Sequence, residues 1–271
     1  MSIQAAFDAV PREAFIPDLI WVRKDDGWAF PLRRQDDPDC WLAQVRSEDA
    51  VTIQVDDGAT DRGVWPTSSC SAPRVVGEML ELSDLDPGTR VLEIGTGTGW
   101  NAALMAEIVG PANVTTIEIH PSIAEQARRN LRKVGCPVRV VTGDGEAGFP
   151  DNAPYDRVIV TAAVSELPYP WVEQTRSGGL ILVPWAPTFH PHGPLALLSV
   201  DGGRAVGQFV APSWFMPLRG QRISQADRNE YKQRWVAAGS PELTRYGVTV
   251  GPEGQTIWLD LPDNPIEPAQ V

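Results

Sequence analysis

A glycine-rich run at residues 91–99, V-L-E-I-G-T-G-T-G, limits the possible folds of this 271-residue chain more than any other segment. An apolar stretch of strand type leads into three glycines at alternate positions, and a helix-forming stretch follows. Glycine lets the backbone approach a ligand closely, and a helix that begins there offers free N–H donors. Nicotinamide-binding loops usually read G-x-G-x-x-G, whereas this one reads G-x-G-x-G. The run therefore predicts a ligand-binding turn at the end of a buried strand.

From residue 73 onward, segments of helical and strand pattern alternate. Apolar residues recur at helical spacing in 75–82 and 101–109, and a further helix is opened by Pro121 and closed by Gly135. Apolar runs of strand type lie at residues 90–94, 114–119, 138–142, 157–161, 180–184 and 195–200. Strands that are separated by helices form βαβ units. We therefore predict an α/β fold with a doubly wound, mostly parallel sheet.

Two acidic residues follow the next predicted strands and strengthen the ligand hypothesis. Glu118 ends the second strand of the series, where the ribose hydroxyls of a bound nucleotide lie in this fold class. Asp144 stands between two glycines after the third strand, where a carboxylate can accept a hydrogen bond from an adenine amino group. Each carboxylate taken alone is more typical of a solvated loop. The glycine run and both acids, in this order at successive strand ends, together predict a nucleoside pocket.

Composition narrows the classes of partner. The formal net charge is -12, and an acidic chain repels the phosphates that Lys and Arg neutralise, so we expect no nucleic-acid partner. No segment approaches the roughly 20 apolar residues of a membrane span, and the N-terminus lacks the pattern of a secretory signal. The three cysteines, Cys40, Cys70 and Cys136, are too few and too scattered for a disulfide framework or a metal site. We therefore expect a cytoplasmic protein without a metal or a membrane partner.

Several segments resemble the protein-L-isoaspartate O-methyltransferase family. The glycine run with its continuation, V-L-E-I-G-T-G-T-G-W-N-A-A-L-M-A-E, is similar to the family's cofactor loop. The further matches are V-P-R-E-A-F-I-P at 10–17, S-C-S-A-P at 69–73, A-P-Y-D-R-V-I-V-T-A-A at 153–163 and the strand at 174–184. The resemblance covers roughly residues 8–17 and 66–186. It implies a Rossmann-like class I methyltransferase with S-adenosyl-L-methionine as its cofactor and S-adenosyl-L-homocysteine as its product.

The resemblance also implies roles for particular residues. The family's active-site hydroxyl falls on Ser71, which we therefore predict to be catalytic; a purely structural role as a helix N-cap is the alternative. Substrate contacts are predicted for Ser69 and Cys70. Trp65 is predicted to contact the substrate for a different reason, because the tryptophans of the Trp-rich segment can line a peptide groove; packing of a small cap onto the sheet is the alternative. The predicted cofactor-binding residues are Glu93, Gly95, Thr96, Gly97, Gly99, Glu118, Ile119, Asp144, Gly145 and Thr161.

The chain departs from the family pattern at both ends, and this suggests three regions. Residues 1–66 form an N-terminal cap region with a Trp-rich insertion, 67–200 the cofactor-binding methyltransferase domain, and 201–271 a C-terminal extension. In the extension, Ser224 and Asp227 predict a capped helix through residue 238, and residues 262–271 are polar and proline-rich. Both departures resemble a branch of the family associated with ribosomally made peptide natural products.

Three functions are compatible with these observations. The branch resemblance implies esterification of an Asp carboxylate in a modified precursor peptide, which then closes to an aspartimide. The first alternative is general repair, in which isoaspartyl residues of damaged proteins are methylated. The second alternative is a non-catalytic protein that binds the cofactor and assists another enzyme. For the two enzymatic interpretations the expected partner is a peptide or protein that carries Asp or isoaspartate.

Overall fold

The computed structural model describes residues 2–266, which form two compact units. Unit 1 holds the described residues up to Gly88 together with Thr96–Gly143. Unit 2 holds Thr89–Gly95 together with the described residues from Asp144 onward. Each unit is described by itself below.

The helices and strands are numbered in chain order. The helices are α1 Ile3–Ala9, α2 Pro38–Val45, α3 Pro73–Leu82, α4 Trp100–Val109, α5 Pro121–Lys133, α6 Tyr169–Glu173 and α7 Gln225–Ala237. The strands are β1 Leu19–Arg23, β2 Ala29–Arg33, β3 Val51–Val55, β4 Pro66–Cys70, β5 Val91–Ile94, β6 Val114–Glu118, β7 Arg139–Thr142, β8 Tyr155–Val160, β9 Thr175–Pro184, β10 Pro194–Asp201, β11 Arg204–Pro212, β12 Tyr246–Gly251 and β13 Gly254–Leu259.

Unit 1 contains a small antiparallel sheet in the order β2-β1-β3-β4, with a core that includes Trp21 and Val55. The Trp-rich segment therefore folds as this sheet together with helix α2. Trp41 of α2 is completely buried, and its indole N–H donates to the Pro17 carbonyl. In the rest of the unit, β6 and β7 pair in parallel, and α5 buries the face that carries Ile123 and Leu131.

The sequence pattern of residues 3–15, followed by Pro17, predicts one N-terminal helix, but the structure shows that this helix is interrupted. Helix α1 ends at Ala9, and a separate 3-10 turn follows at Arg12–Phe15. The interruption has a physical cause, because Pro11 lacks an N–H donor and restricts the residue before it. The prediction of one continuous helix is therefore wrong at this point.

Unit 2 contains a mixed sheet in the order β13-β12-β11-β10-β9-β8-β5. Strands β5, β8 and β9 run parallel to one another, as predicted. Strand β10 runs antiparallel to β9 and so departs from the parallel order that predominates in the prediction. No crossover helix lies between these two strands, and a parallel connection requires one. The sheet is therefore parallel on one side and an antiparallel meander on the other.

The C-terminal part of unit 2 contains the predicted helix cap and, in addition, a β-hairpin. Ser224 and Asp227 form a reciprocal capping box at the start of α7. Strands β12 and β13 form a hairpin that we did not predict, although Tyr246, Val248 and Val250 alternate as inward-facing strand residues. The polar, proline-rich composition of residues 262–271 predicts a frayed end, and residues 267–271 of this segment lie outside the described part of the chain.

No helix within residues 2–266 is both long and apolar enough to cross a bilayer. Within the same residues, no group of three or more His, Cys, Asp or Glu side chains is placed to hold a metal ion.

Gly77 in the interior of α3 provides a test of the packing in unit 1. A Cβ atom at this position would meet only the ring of Phe7, at 3.9 Å, which is ordinary contact. Alanine loses less conformational freedom than glycine when a helix forms. We therefore expect Gly77→Ala to raise the free energy of unfolding by about 0.5–1 kcal/mol in urea denaturation. A decrease in stability would show that α3 and α1 pack more tightly than described.

Candidate functional site

The glycine-rich run begins in unit 2, at the end of the buried strand β5. Gly95 has a φ of +99°, and a Cβ atom there would lie 2.5 Å from the Thr161 hydroxyl oxygen. That hydroxyl donates to the carbonyls of Gly95 and Ile94, at 2.6 and 3.1 Å. Only glycine combines this backbone conformation with this close approach. The structure therefore brings together Gly95 and Thr161, two of the predicted cofactor residues.

The run continues in unit 1, where its backbone faces Glu118. Gly97 has a φ of +53°, and its N–H donates to Glu118 Oε2 at 2.9 Å. Thr96 is buried, its hydroxyl pairs with the Thr116 hydroxyl at 2.7 Å, and its backbone N–H donates to the Ile117 carbonyl at 3.1 Å, so its contact with a cofactor stays a prediction. Gly99 has a left-handed conformation immediately before α4. The loop is thus formed mainly by backbone.

Glu118 is the best-oriented carboxylate of the predicted set. Its Oε1 accepts the N–H of His120 at 3.0 Å, while Oε2 accepts the N–H of Gly97. A carboxylate has about four acceptor positions, so ribose hydroxyls can share it with these backbone donors. The neighbouring Ile119 is 40% exposed, which leaves an apolar side chain available to contact a base. Gly97, Glu118 and Ile119 therefore fit the ribose end of a nucleoside.

The second predicted acid lies in unit 2. Asp144 is exposed, and its Oδ1 accepts the N–H of Glu146 at 3.0 Å. Burial and the nearby Asp144 charge raise the pKa of the Glu146 carboxyl. A Cβ atom on Gly145 would lie 2.6 Å from Ile94, so this glycine packs against the end of β5. Glu93 in β5 is fully buried. Contacts of Asp144, Gly145 and Glu93 with a cofactor stay predictions.

The Ser69–Ser71 segment lies at the end of β4 in unit 1. The Ser69 carbonyl oxygen is only 3.2 Å from the position of a Cβ atom on Gly97, so this segment adjoins the glycine loop. The Ser71 hydroxyl has no hydrogen-bond partner among residues 2–266 and is partly exposed. Ala72, without a side-chain bond, is the N-cap of α3. The alternative role of Ser71 as a helix cap is therefore wrong, and its hydroxyl is available to a substrate.

The other two predicted substrate residues differ in accessibility. Burial raises the pKa of the Cys70 thiol, which is 2% exposed, so any substrate contact there is made by the backbone. The Trp65 side chain is 67% exposed, and the backbone N–H of Trp65 donates to Asp56 Oδ1 at 2.9 Å. Substrate contacts at both positions stay predictions.

Two residues with no assigned role in the sequence analysis support this part of unit 1. The buried amide of Asn130 donates to the carbonyls of Phe15 and Thr98, at 3.0 and 2.9 Å. The guanidinium of Arg12 donates to the carbonyls of Cys70 and Ser71, at 3.1 and 3.0 Å. A polar residue on the apolar face of α5 was the available signal for Asn130. The acceptors of Arg12 are far away in sequence, and no local pattern predicts them.

The fold and the loop together define a class I methyltransferase that uses S-adenosyl-L-methionine. A solved structure titled protein-L-isoaspartate O-methyltransferase covers 96% of this chain and 95% of its own, with a TM-score of 0.68 and 23% identity. A second structure covers 80% of this chain and 89% of its own, with a TM-score of 0.60 and 16% identity. The protein in this second structure is described as a putative protein-L-isoaspartate O-methyltransferase from Plasmodium falciparum, in complex with S-adenosyl-L-homocysteine.

Sequence comparison identifies the family. The model described as Protein-L-isoaspartate(D-aspartate) O-methyltransferase (PCMT) matches residues 48–222. A protein-L-isoaspartate O-methyltransferase of Hyperthermus butylicus is 42% identical over 229 residues, which cover 81% of each chain. One from Pyrococcus horikoshii is 53% identical over 115 residues, which cover 42% of this chain and 52% of the relative. The chain belongs to this family of protein carboxyl methyltransferases, which confirms the resemblance seen in the sequence.

Proposed function

We propose that this chain methylates the free carboxylate of isoaspartyl residues in proteins and peptides, and so acts in their repair. The relatives named above carry this substrate in their names and match most of the chain in one case. The observation that carries the proposal is the position of Ser71, because its partly exposed, unpaired hydroxyl belongs to the segment that adjoins Gly97.

The chemistry requires little more than positioning. S-adenosyl-L-methionine supplies the electrophilic methyl group when it is bound. A carboxylate is already ionised near neutral pH, since its pKa is about 4, and no general base is needed. The Ser71 hydroxyl donates to one carboxylate oxygen and thereby orients the other for attack. The backbone of residues 69–71 and of the glycine loop limits the access of water.

The methyl ester then leads to repair without further residues of this chain. The backbone nitrogen of the following residue attacks the ester carbonyl, loses its proton and expels methanol. The product is a five-membered succinimide. Water opens this ring at either carbonyl and gives aspartyl or isoaspartyl peptide, so repeated cycles convert isoaspartate to Asp.

The peptide-tailoring function remains a second candidate, but its main argument is weaker than the sequence suggested. It depended on the N-terminal insertion and the C-terminal extension. A solved structure with the isoaspartyl name aligns over 96% of this chain, so a fold of this extent is not peculiar to a tailoring branch. We therefore place repair first.

The substrate preference is tested with a pair of peptides that have the same sequence and carry either isoaspartate or Asp. We expect mass spectrometry to detect the methyl ester, followed by the succinimide, on the isoaspartyl peptide only. Methylation confined to an Asp in a constrained precursor peptide would favour the tailoring function instead. Cofactor binding without methylation of any peptide would favour the non-catalytic alternative.

Ser71→Ala tests the assigned role of the hydroxyl. We expect kcat with the isoaspartyl peptide to fall about 10- to 100-fold, because an orienting donor near the reacting oxygens is lost. The affinity for S-adenosyl-L-homocysteine should stay unchanged, as measured by calorimetry. Ser177→Ala is the control, since the hydroxyl of this exposed serine in unit 2 donates to Asp201. Wild-type turnover by Ser71→Ala would remove Ser71 from the mechanism.

A further inference from the structure

Arg12 lies in the 3-10 turn Arg12–Phe15, and it is 9% exposed. Its guanidinium donates to five backbone carbonyls. These belong to Val45 at 3.3 Å, Ser47 at 3.0 Å, Asp49 at 2.6 Å, Cys70 at 3.1 Å and Ser71 at 3.0 Å. One side chain therefore joins the end of α2, the loop before β3 and the junction between β4 and α3.

The two acceptors at that junction belong to the predicted active-site segment. The carbonyls of Cys70 and Ser71 stand on either side of the Ser71 Cα atom, so the guanidinium fixes the peptide units that carry the hydroxyl. A planar guanidinium presents its donors in a fixed fork, whereas a Lys ammonium has three donors on a flexible stem. Arginine is thus the side chain that can hold both carbonyls and the loop carbonyls at once.

Arg12 also contacts the residue that follows the glycine loop. Its guanidinium carbon lies 5.6 Å from the ring centroid of Trp100, the first residue of α4. The Trp100 indole N–H donates to the Val10 carbonyl at 3.0 Å, which fixes the ring beside the turn. The Ser71 segment and the first residue of α4 therefore contact the same guanidinium.

The electrostatics of Arg12 are unusual for a residue with a purely stabilising role. No carboxylate among residues 2–266 forms a salt bridge with it, and its buried Nε has no hydrogen-bond partner. Burying a charge without an opposite charge is costly, and apolar residues often stabilise such a position better. The placement of its donors gives a reason for the cation that stability alone does not.

We propose that Arg12 is a positioning residue, which holds the Ser71 hydroxyl in register with the glycine loop and so sets the rate of methyl transfer. This inference rests on the proposed function, because it assigns Arg12 to act through Ser71. It predicts that the guanidinium geometry is needed, and that a positive charge alone is insufficient.

Arg12→Lys tests the inference, since it keeps the charge and loses the fork. We expect kcat with the isoaspartyl peptide to fall about 10- to 100-fold. We expect KM for the peptide and the dissociation constant of S-adenosyl-L-homocysteine to change less than about threefold. Arg34→Lys is the matched control, because Arg34 also lies over an indole ring, at 4.5 Å from Trp41, but is half exposed. The control should keep the wild-type kcat.

A double-mutant cycle separates positioning from a general loss of folded protein. If Arg12 acts through Ser71, then adding Arg12→Lys to Ser71→Ala should lower kcat only slightly further, with kcat calculated from the concentration of cofactor-binding sites. Full additivity of the two losses, or an unchanged kcat in Arg12→Lys, would overturn the inference. Failure of the wild-type chain to methylate the isoaspartyl peptide would instead overturn the proposed function.

Hydrogen exchange of the wild-type protein provides a test that does not depend on a variant that folds. The inference predicts that the backbone of residues 68–72 exchanges as slowly as the buried strand β6, because two bonds from the Arg12 guanidinium, to the Cys70 and Ser71 carbonyls, hold this segment in place. Exchange of this segment at the rate of exposed loops would contradict a fixed Ser71.

Discussion

Glu118→Gln is expected to weaken the binding of S-adenosyl-L-homocysteine by about 100-fold or more. The wild-type carboxylate accepts the backbone N–H groups of Gly97 and His120, one on each oxygen. In glutamine one of these oxygens becomes an NH₂ group, which then faces an N–H donor. The variant loses charge-assisted bonds to ribose hydroxyls, each worth about 1.5–3 kcal/mol, and it also disturbs the loop that contacts the cofactor.

Calorimetric titration measures this effect, and Glu125→Gln is the matched control. Glu125 is an acidic residue of the same unit, but it lies on the exposed face of α5 among Arg128, Arg129 and Arg132. Removing its charge should leave the affinity for S-adenosyl-L-homocysteine unchanged. Equal affinities of Glu118→Gln and the wild-type chain would mean that Glu118 is not the ribose ligand.

Gly95→Ala is expected to lower the free energy of unfolding by about 3 kcal/mol and to prevent cofactor binding. Two separate causes contribute. A left-handed backbone costs an L-residue about 1–2 kcal/mol. The new methyl group would also lie 2.5 Å from the Thr161 hydroxyl oxygen and displace it from the Gly95 carbonyl, which loses a hydrogen bond worth about 0.5–1.5 kcal/mol.

Urea denaturation of a small set of variants separates these two causes. In a Thr161→Ala background the clash is absent, so the additional cost of Gly95→Ala should shrink to that of the backbone conformation alone. Gly143→Ala is the control, because a Cβ atom there has no heavy atom within 4 Å. A Gly95→Ala variant as stable as Gly143→Ala would contradict the described conformation of the loop.

The part of the site that depends on local chemistry was predictable from the sequence. The strand, the positive-φ glycines and the start of α4 follow from residues 91–99, because glycine spacing and apolar patterning act over a few residues. The sequence predicted that Gly97 and Glu118 lie close together, because successive strands of such a sheet end at one edge. It did not predict the hydrogen bond between them.

The unpredicted features depend on residues that are distant in sequence. The direction of β10 is set by the absence of a crossover helix, and alternating strand patterns do not reveal direction. The Thr96 side chain is buried, and its hydroxyl bonds to the hydroxyl of Thr116, which is 20 residues away in sequence. The acceptors of Arg12 come from three segments up to 59 residues away, so its role required the folded chain.

The division into cap, methyltransferase domain and extension stays a prediction, as does the assignment to a peptide-tailoring branch. Both predictions concern the choice of substrate. The exposed Trp65 precedes β4, the strand that leads to Ser71, and a role in peptide recognition would make its substitution alter KM more than kcat.

Binding of S-adenosyl-L-methionine at the glycine loop underlies every role assigned above. Isothermal calorimetry of the wild-type chain with S-adenosyl-L-homocysteine measures this binding. We expect saturable binding with a stoichiometry of about one, and a rise in the thermal unfolding midpoint as the ligand concentration increases. The absence of both binding heat and thermal stabilisation at millimolar ligand would contradict it.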